Sequence, residues 1–198
     1  MIDSLLRGLA ITSLPEALAV VLGVAYVLLI LKRQRLGWIA GGLSSAIYVY
    51  LAAHAHLPMQ STLQGYYVVM AFYGWYSWTR SQQLEGGRIT RWPLHYHLLA
   101  MTAIVLLSFL TAHWLALETH AAWPHLDSLT TWISLLATWM VARIKLENWL
   151  YWMAADAVTA YLFFAQGYPA TTALFLTYLI IAAIGFRTWL QQYRRQQA

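Results

Sequence analysis

The stretch ENWLYWMAADAVTAYLF (Glu147–Phe163) is apolar along most of its length, yet it carries two tryptophans three residues apart and then an aspartate. Runs of roughly 18 or more apolar residues are long enough to cross a ~30 Å hydrocarbon core as a helix. An ionised aspartate near the centre of such a helix costs about 2.5–3.5 kcal/mol on insertion scales, so it is expected to face the bundle interior or a watery cavity. Asp156 is therefore the first candidate functional residue. On a 3.6-residue helix Trp149, Trp152 and Asp156, spaced i, i+3, i+7, share one face.

The rest of the chain supports a membrane reading. Of its 198 residues 61% are hydrophobic and only 10% charged, against about 25% charged in an average soluble domain. The mean hydropathy is +0.54. The apolar runs are too long for transmembrane strands, which need about 9–11 alternating residues. The fold class expected is an all-α polytopic membrane protein. The absence of cysteine excludes disulfides, thiol catalysis and Cys-ligated metals. The N-terminal MIDSLLRGLAITSLPE lacks a sustained apolar core and a small-residue cleavage site, so the first span is expected to act as the insertion signal.

Seven spans are predicted, at residues 14–31, 36–55, 60–79, 97–117, 124–142, 147–165 and 170–190. Pro15, Pro58, Pro93, Pro124 and Pro169 fall at or near their boundaries, where a missing N–H costs least. RSQQLEGGRITRWP is the longest connection, and its Glu-Gly-Gly reads as a flexible turn. With seven crossings, eleven of the twelve Lys and Arg fall on one side and only Arg7 on the other. Positive-inside bias then places the N-terminus outside and the C-terminus in the cytoplasm. The net charge of +5 is explained by topology, so the basic RTWLQQYRR calls for no nucleic-acid partner.

A shift of 111 residues lays spans one to three on spans five to seven without a gap. Glu16 meets Asp127, Lys32 meets Arg143, Trp38 meets Trp149, and Pro58 meets Pro169. Leu63, Tyr67, Ala71, Gly74 and Trp78 meet Leu174, Tyr178, Ala182, Gly185 and Trp189. The expected organisation is a 3+1+3 parallel repeat: a first three-helix unit at 14–79, a linker helix at 97–117 and a second unit at 124–190. Parallel repeats related by an axis along the membrane normal occur in transporters with midplane substrate sites. The repeat is asymmetric where it matters: Trp152 corresponds to Gly41, and Asp156 to Ser45. One site built mainly on the second unit would follow.

Two readings fit the tryptophans. They form an aromatic wall for a flat or cationic ring, worth roughly 0.5–2 kcal/mol per contact when desolvated, or they belong to the interfacial belt. Asp156 either meets a ligand or hydrogen-bonds a neighbouring span. In span three Gln64, Tyr67 and Ala71 share a face. Gln64 is either a ligand contact or inter-helix glue of about 0.6–2 kcal/mol. Asn148 sits at the edge of span six and points elsewhere on the helix. Gly41-Gly42 and Ser44-Ser45 allow close helix approach. His54/His56 and His95/His97, spaced i, i+2, face opposite ways with no carboxylate at ligand spacing, so no metal site is expected. No phosphate loop, nucleophile elbow or zinc-protease motif is present.

QGYYVVMAFYGWYSW, ENWLYWMAADAV and LTYLIIAAIGFRTW together resemble the PnuC transporters of nicotinamide riboside, over nearly the whole chain from Pro15 to Trp189. The resemblance implies a seven-span, SWEET-like fold, often a homotrimer, in the bacterial inner membrane. It implies facilitated uptake of a vitamin precursor, trapped inside by a cytosolic kinase, with no cofactor. Carried over by motif, Trp149 and Trp152 match the ligand-associated Trp-x-x-Trp pair, and Gln64 the glutamine opening span three. Ser44, Tyr67, Asn148 and Tyr178 complete the candidate substrate-binding set. The chain departs from many members in having Ser44 for Asn, and from some in having Ala71 or Asp156 for Asn. Relatives of this family carry thiamine or riboflavin, and the residues here do not choose between nicotinamide riboside and thiamine. A membrane-embedded enzyme would need clustered acid–base groups, and the seven carboxylates are scattered mostly at span ends. A ligand-free membrane scaffold is the remaining alternative.

Overall fold

A computed structural model describes residues 14–54, 58–85, 87–118 and 123–198. Seven α-helices are formed among them: α1 (Leu14–Leu31), α2 (Leu36–His54), α3 (Pro58–Glu85), α4 (Leu94–Glu118), α5 (Pro124–Ala142), α6 (Asn148–Ala165) and α7 (Pro169–Arg195). Four of them, α1, α2, α4 and α7, are long and apolar enough to cross a membrane by length and composition alone. The others carry more polar residues, including Gln64 on α3 and Asn148 and Asp156 on α6. Helices α3 and α7 continue past the expected span ends at 79 and 190, because TRSQQLE and QQYRR are rich in strong helix formers. Arg7, His56 and the N-terminal segment read above lie outside the described residues.

The chain divides into two compact units. The first comprises residues up to Arg88 together with Val141–Ile144, and the second Ile89–Met140 with Lys145–Ala198. In the first, α2 packs against α1 and α3. Small residues set the spacing. A methyl added at Gly42 would fall 2.9 Å from Cβ of Ala71, one at Gly41 would fall 2.7 Å from the Tyr26 ring, and one at Gly74 would fall 2.3 Å from the Trp38 indole. Trp38 meets Trp78 edge-on, with centroids 5.8 Å apart at 87°. Trp78 Nε1 donates to the Val141 carbonyl at 3.0 Å.

In the second unit α4, α5 and α6 share a core of Ile104, Ile133, Ala137, Met140, Tyr151 and Ala155. Helix α7 packs along α6. A methyl at Gly185 would fall 2.6 Å from the Trp149 indole, and Trp149 meets Trp189 edge-on at 5.5 Å and 87°. Trp149, Gly185 and Trp189 lie 111 residues beyond Trp38, Gly74 and Trp78.

The turns follow the same numbering. After α1, Arg33 N–H bonds to Ile30 O and Gln34 N–H to Leu29 O, with Arg33 at φ 57°. After α5, Ile144 N–H bonds to Val141 O and Lys145 N–H to Met140 O, with Ile144 at φ 52°. Both are Schellman-type terminations, which put one residue in the left-handed region. A β-branched residue adopts that region only under strong constraint, and here the Ile144 side chain is buried. Helix α6 ends in the same way at Gly167, φ 78°, where glycine carries no such penalty.

The close approaches at Gly74 and Gly185 lead to a stability prediction. Gly74→Val and Gly185→Val are each expected to cost about 1–3 kcal/mol through overpacking, read as a lower melting temperature in detergent. Melting temperatures unchanged by both would contradict the packing described.

Candidate functional site

Helix α6 carries the densest set of candidate residues, and its start is fixed from outside the helix. Glu147 is buried and makes no side-chain cap to its own helix. Its carboxylate instead accepts from Arg91 Nε at 2.9 Å and from the Trp92 N–H at 3.4 Å. That hydrogen bond raises the pKa of the Arg91 guanidinium. The same connecting segment adds Leu146 N–H to Thr90 O at 3.0 Å and Ile89 N–H to Gln196 Oε1 at 3.1 Å. Thus residues 89–92 tie the start of α6 to the end of α7.

From there inward the side chains divide by role. Asn148 is fully buried, and its Nδ2 donates to the Lys145 carbonyl at 2.6 Å. Its Oδ1 has no partner among the described residues. Trp149 is 3% exposed, its indole lying on Gly185 and edge-on to Trp189. Trp152 is half-buried against the α4–α5–α6 core. Asp156, one turn beyond Trp152, is 6% exposed. Its carboxylate makes no hydrogen bond or ion pair with any described residue. A buried carboxylate without a partner is costly, and a cation or a set of donors relieves that cost. Tyr178 on α7 is half-buried and meets Phe175 edge-on at 6.0 Å. Phe175 in turn stacks on Phe163 at 5.6 Å.

The candidates of the first unit are placed as follows. Ser44 is buried, and its Oγ donates to the Ala19 carbonyl of α1 at 2.7 Å. Gln64 on α3 is half-buried, and its amide bonds to no described residue. Tyr67 is half-buried beside Tyr66, 5.8 Å between ring centroids. Among the candidates of α6, Trp152 and Asp156 share a face at i, i+4, while Trp149 is packed into the contact with α7. A cavity of about 370 Å³ lined by Tyr76, Thr79, Arg80 and Gln83 takes in none of the expected site residues.

Sequence reasoning missed two pairings. Tyr151 Oη lies 2.9 Å from His97 Nδ1 and the two rings stack at 5.9 Å, with Trp92 edge-on to His97 at 5.5 Å. The Arg91–Glu147 pair joins residues 56 positions apart. The available signal was Glu147 itself, an acid where the repeat places Leu36.

The family model described as nicotinamide mononucleotide transporter matches residues 13–191. The riboflavin/roseoflavin transporter RibM of Streptomyces davaonensis is 26% identical over 182 residues, covering 88% of this chain and 84% of that protein. The nicotinamide riboside transporter PnuC of Escherichia coli is 25% identical over 160 residues, covering 68% of this chain and 67% of that protein. A crystal structure of the vitamin B3 transporter PnuC matches with a TM-score of 0.75 at 20% identity, covering 98% of this chain and 88% of that one. At that identity the likeness speaks for the fold alone.

If Trp149 and Trp189 form one packing unit, replacing either by alanine is expected to cost about 3–5 kcal/mol. The double replacement should cost less than the sum of the two, because the residues touch. Chemical denaturation of the three variants checks this, and strict additivity would show that the two rings do not depend on each other.

Proposed function

We propose that this chain, which belongs to the nicotinamide mononucleotide transporter family, carries nicotinamide riboside across a membrane by alternating access. The observation that carries the substrate class is Asp156, a buried carboxylate with no described partner. Nicotinamide riboside brings a pyridinium cation and no phosphate. Its charge would offset the cost of the buried acid, and its flat ring could stack on Trp152. The mononucleotide adds roughly −1.5 to −2 of charge, which the same carboxylate repels. Uncharged riboflavin gains nothing from it. Thiamine, also a cationic heteroaromatic, is the second reading that Asp156 favours.

Gln64 and Tyr67 on α3, and Tyr178 on α7, are proposed as further ligand contacts. Ser44 Oγ and Asn148 Nδ2 are committed to backbone carbonyls, while Asn148 Oδ1 has no partner among the described residues. Trp149 is committed to Gly185 and Trp189. These three are proposed to shape the site from behind, with Trp149 setting the rotation of α6.

The transport mechanism is proposed to rest on a 3+1+3 parallel repeat, 14–79 and 124–190 joined by 97–117, an organisation that occurs in alternating-access transporters. Three features support that repeat. The Trp-on-Gly contact, the edge-on tryptophan pair and the left-handed turn each occur twice at a spacing of 111. Eleven of twelve basic residues on one side support an outside N-terminus and a cytoplasmic C-terminus. Family likeness supports an inner-membrane homotrimer that releases substrate to a cytosolic kinase. Among the described residues no cluster of acidic or histidine groups accompanies Asp156; a uniporter is proposed.

Uptake of labelled nicotinamide riboside into proteoliposomes tests the proposal. Saturable uptake without an imposed ion gradient is expected. Asp156→Asn should weaken binding by about 1.5–3 kcal/mol, the range for a charged hydrogen bond. Trp152→Ala should weaken it by about 1–3 kcal/mol. Absence of uptake by verified folded protein, with thiamine also excluded, would sink the proposal.

A further inference from the structure

At the far end of α3 a second polar site appears, unrelated to Asp156. Tyr76, Thr79, Arg80 and Gln83 line the cavity of about 370 Å³. Their spacing of i, i+3, i+4, i+7 places all four on one face of the helix. Each offers a hydrogen-bond donor. Arg80 uses one guanidinium nitrogen, Nη1, to donate to Tyr76 Oη at 3.0 Å. It pairs with no carboxylate among the described residues, so its remaining N–H groups are open. Accepting that bond leaves the Tyr76 hydroxyl proton free to donate. Thr79 lines the cavity, and its hydroxyl has no hydrogen-bond partner among the described residues. The Gln83 amide completes the set.

The surroundings share this character. Arg35 stands over the Trp75 ring at 5.2 Å, and Arg143 donates to Tyr73 Oη at 3.3 Å. The acidic residues of α1 to α3 are Glu85, which closes α3 two residues beyond Gln83, and Glu16 at the start of α1. Below the cavity, the same face of α3 continues as an exposed apolar stripe. Val69 is 64% exposed, Phe72 75% and Tyr76 59%. Donors and positive charge at the top of an apolar stripe, at the level where the belt aromatics lie, match a molecule with an anionic head and a hydrocarbon tail.

We propose that this face of α3 is a binding site for an anionic phospholipid, its headgroup phosphate held by Arg80, Thr79, Tyr76 and Gln83, its acyl chain lying along Phe72 and Val69. Arg is suited to the head because its planar fork matches phosphate oxygens bidentately. The tail distinguishes this ligand from soluble phosphate, which would use the same donors and leave the stripe uncovered.

Native mass spectrometry of the full chain, with phosphatidylglycerol and phosphatidylcholine of matched acyl chains, reads the preference. Phosphatidylglycerol should be retained about fivefold more than phosphatidylcholine, the equivalent of one basic residue near a membrane surface. Arg80→Gln should abolish that preference. Thr79→Val, a near-isosteric change that tests the hydroxyl without removing charge, should weaken it. Both variants should transport substrate as the unaltered chain does. Equal retention of the two lipids, or a preference untouched by both variants, would overturn the proposal. So would inorganic phosphate that displaces bound phosphatidylglycerol at millimolar concentration in an Arg80-dependent way, because the site would then belong to a soluble anion.

Discussion

An indole laid flat on a glycine sets the helix spacing in each unit. Trp149 covers Gly185, and Trp38 covers Gly74, at separations where even one methyl group would collide. A second tryptophan, Trp189 or Trp78, closes the edge of each indole. The arrangement buries large apolar area at a helix crossing while keeping the backbones near. Interiors tolerate little volume change at such points. Because Trp149 is the second residue of α6, its contact also sets which way the rest of that helix faces. The position of Asp156, two turns further on, depends on it.

The polar groups of α6 can then be ordered by what they are used for. Glu147 and Asn148, at the helix start, hold the incoming chain: one takes Arg91 and Trp92, the other the Lys145 carbonyl. Tyr151 takes His97. Asp156 takes nothing among the described residues. Of the two carboxylates of this stretch, Glu147 is engaged and Asp156 is not, which singles out the acid near the helix centre. At the position 111 residues earlier stands Ser45, as Gly41 stands for Trp152 and Leu36 for Glu147.

Much of this was legible in the sequence, for identifiable reasons. Apolar length announced the helices, and the five prolines marked their ends, with Pro58, Pro124 and Pro169 opening α3, α5 and α7. The shift of 111 paired Trp38 with Trp149 and Gly74 with Gly185 before any geometry was known. What it did not reveal was that each tryptophan sits on the glycine of its own unit. Helical spacing grouped Trp149 with Trp152 and Asp156, and spacing alone cannot show that a neighbouring helix has occupied one part of a face. The Arg91–Glu147 and His97–Tyr151 pairs were invisible because they join distant segments with no local pattern. Ser44 was ambiguous for a related reason: a hydroxyl that bonds a backbone carbonyl on another helix looks, in sequence, like one awaiting a ligand.

The central claim is that one unpartnered carboxylate selects a phosphate-free cation. Isothermal titration of the purified chain with nicotinamide riboside and with its 5′-mononucleotide tests it most directly. The two ligands share ring and sugar and differ only in the phosphate. The riboside is expected to bind at least about tenfold more tightly, a difference of about 1.4 kcal/mol. Equal affinity, or tighter binding of the mononucleotide, would contradict the role given to Asp156.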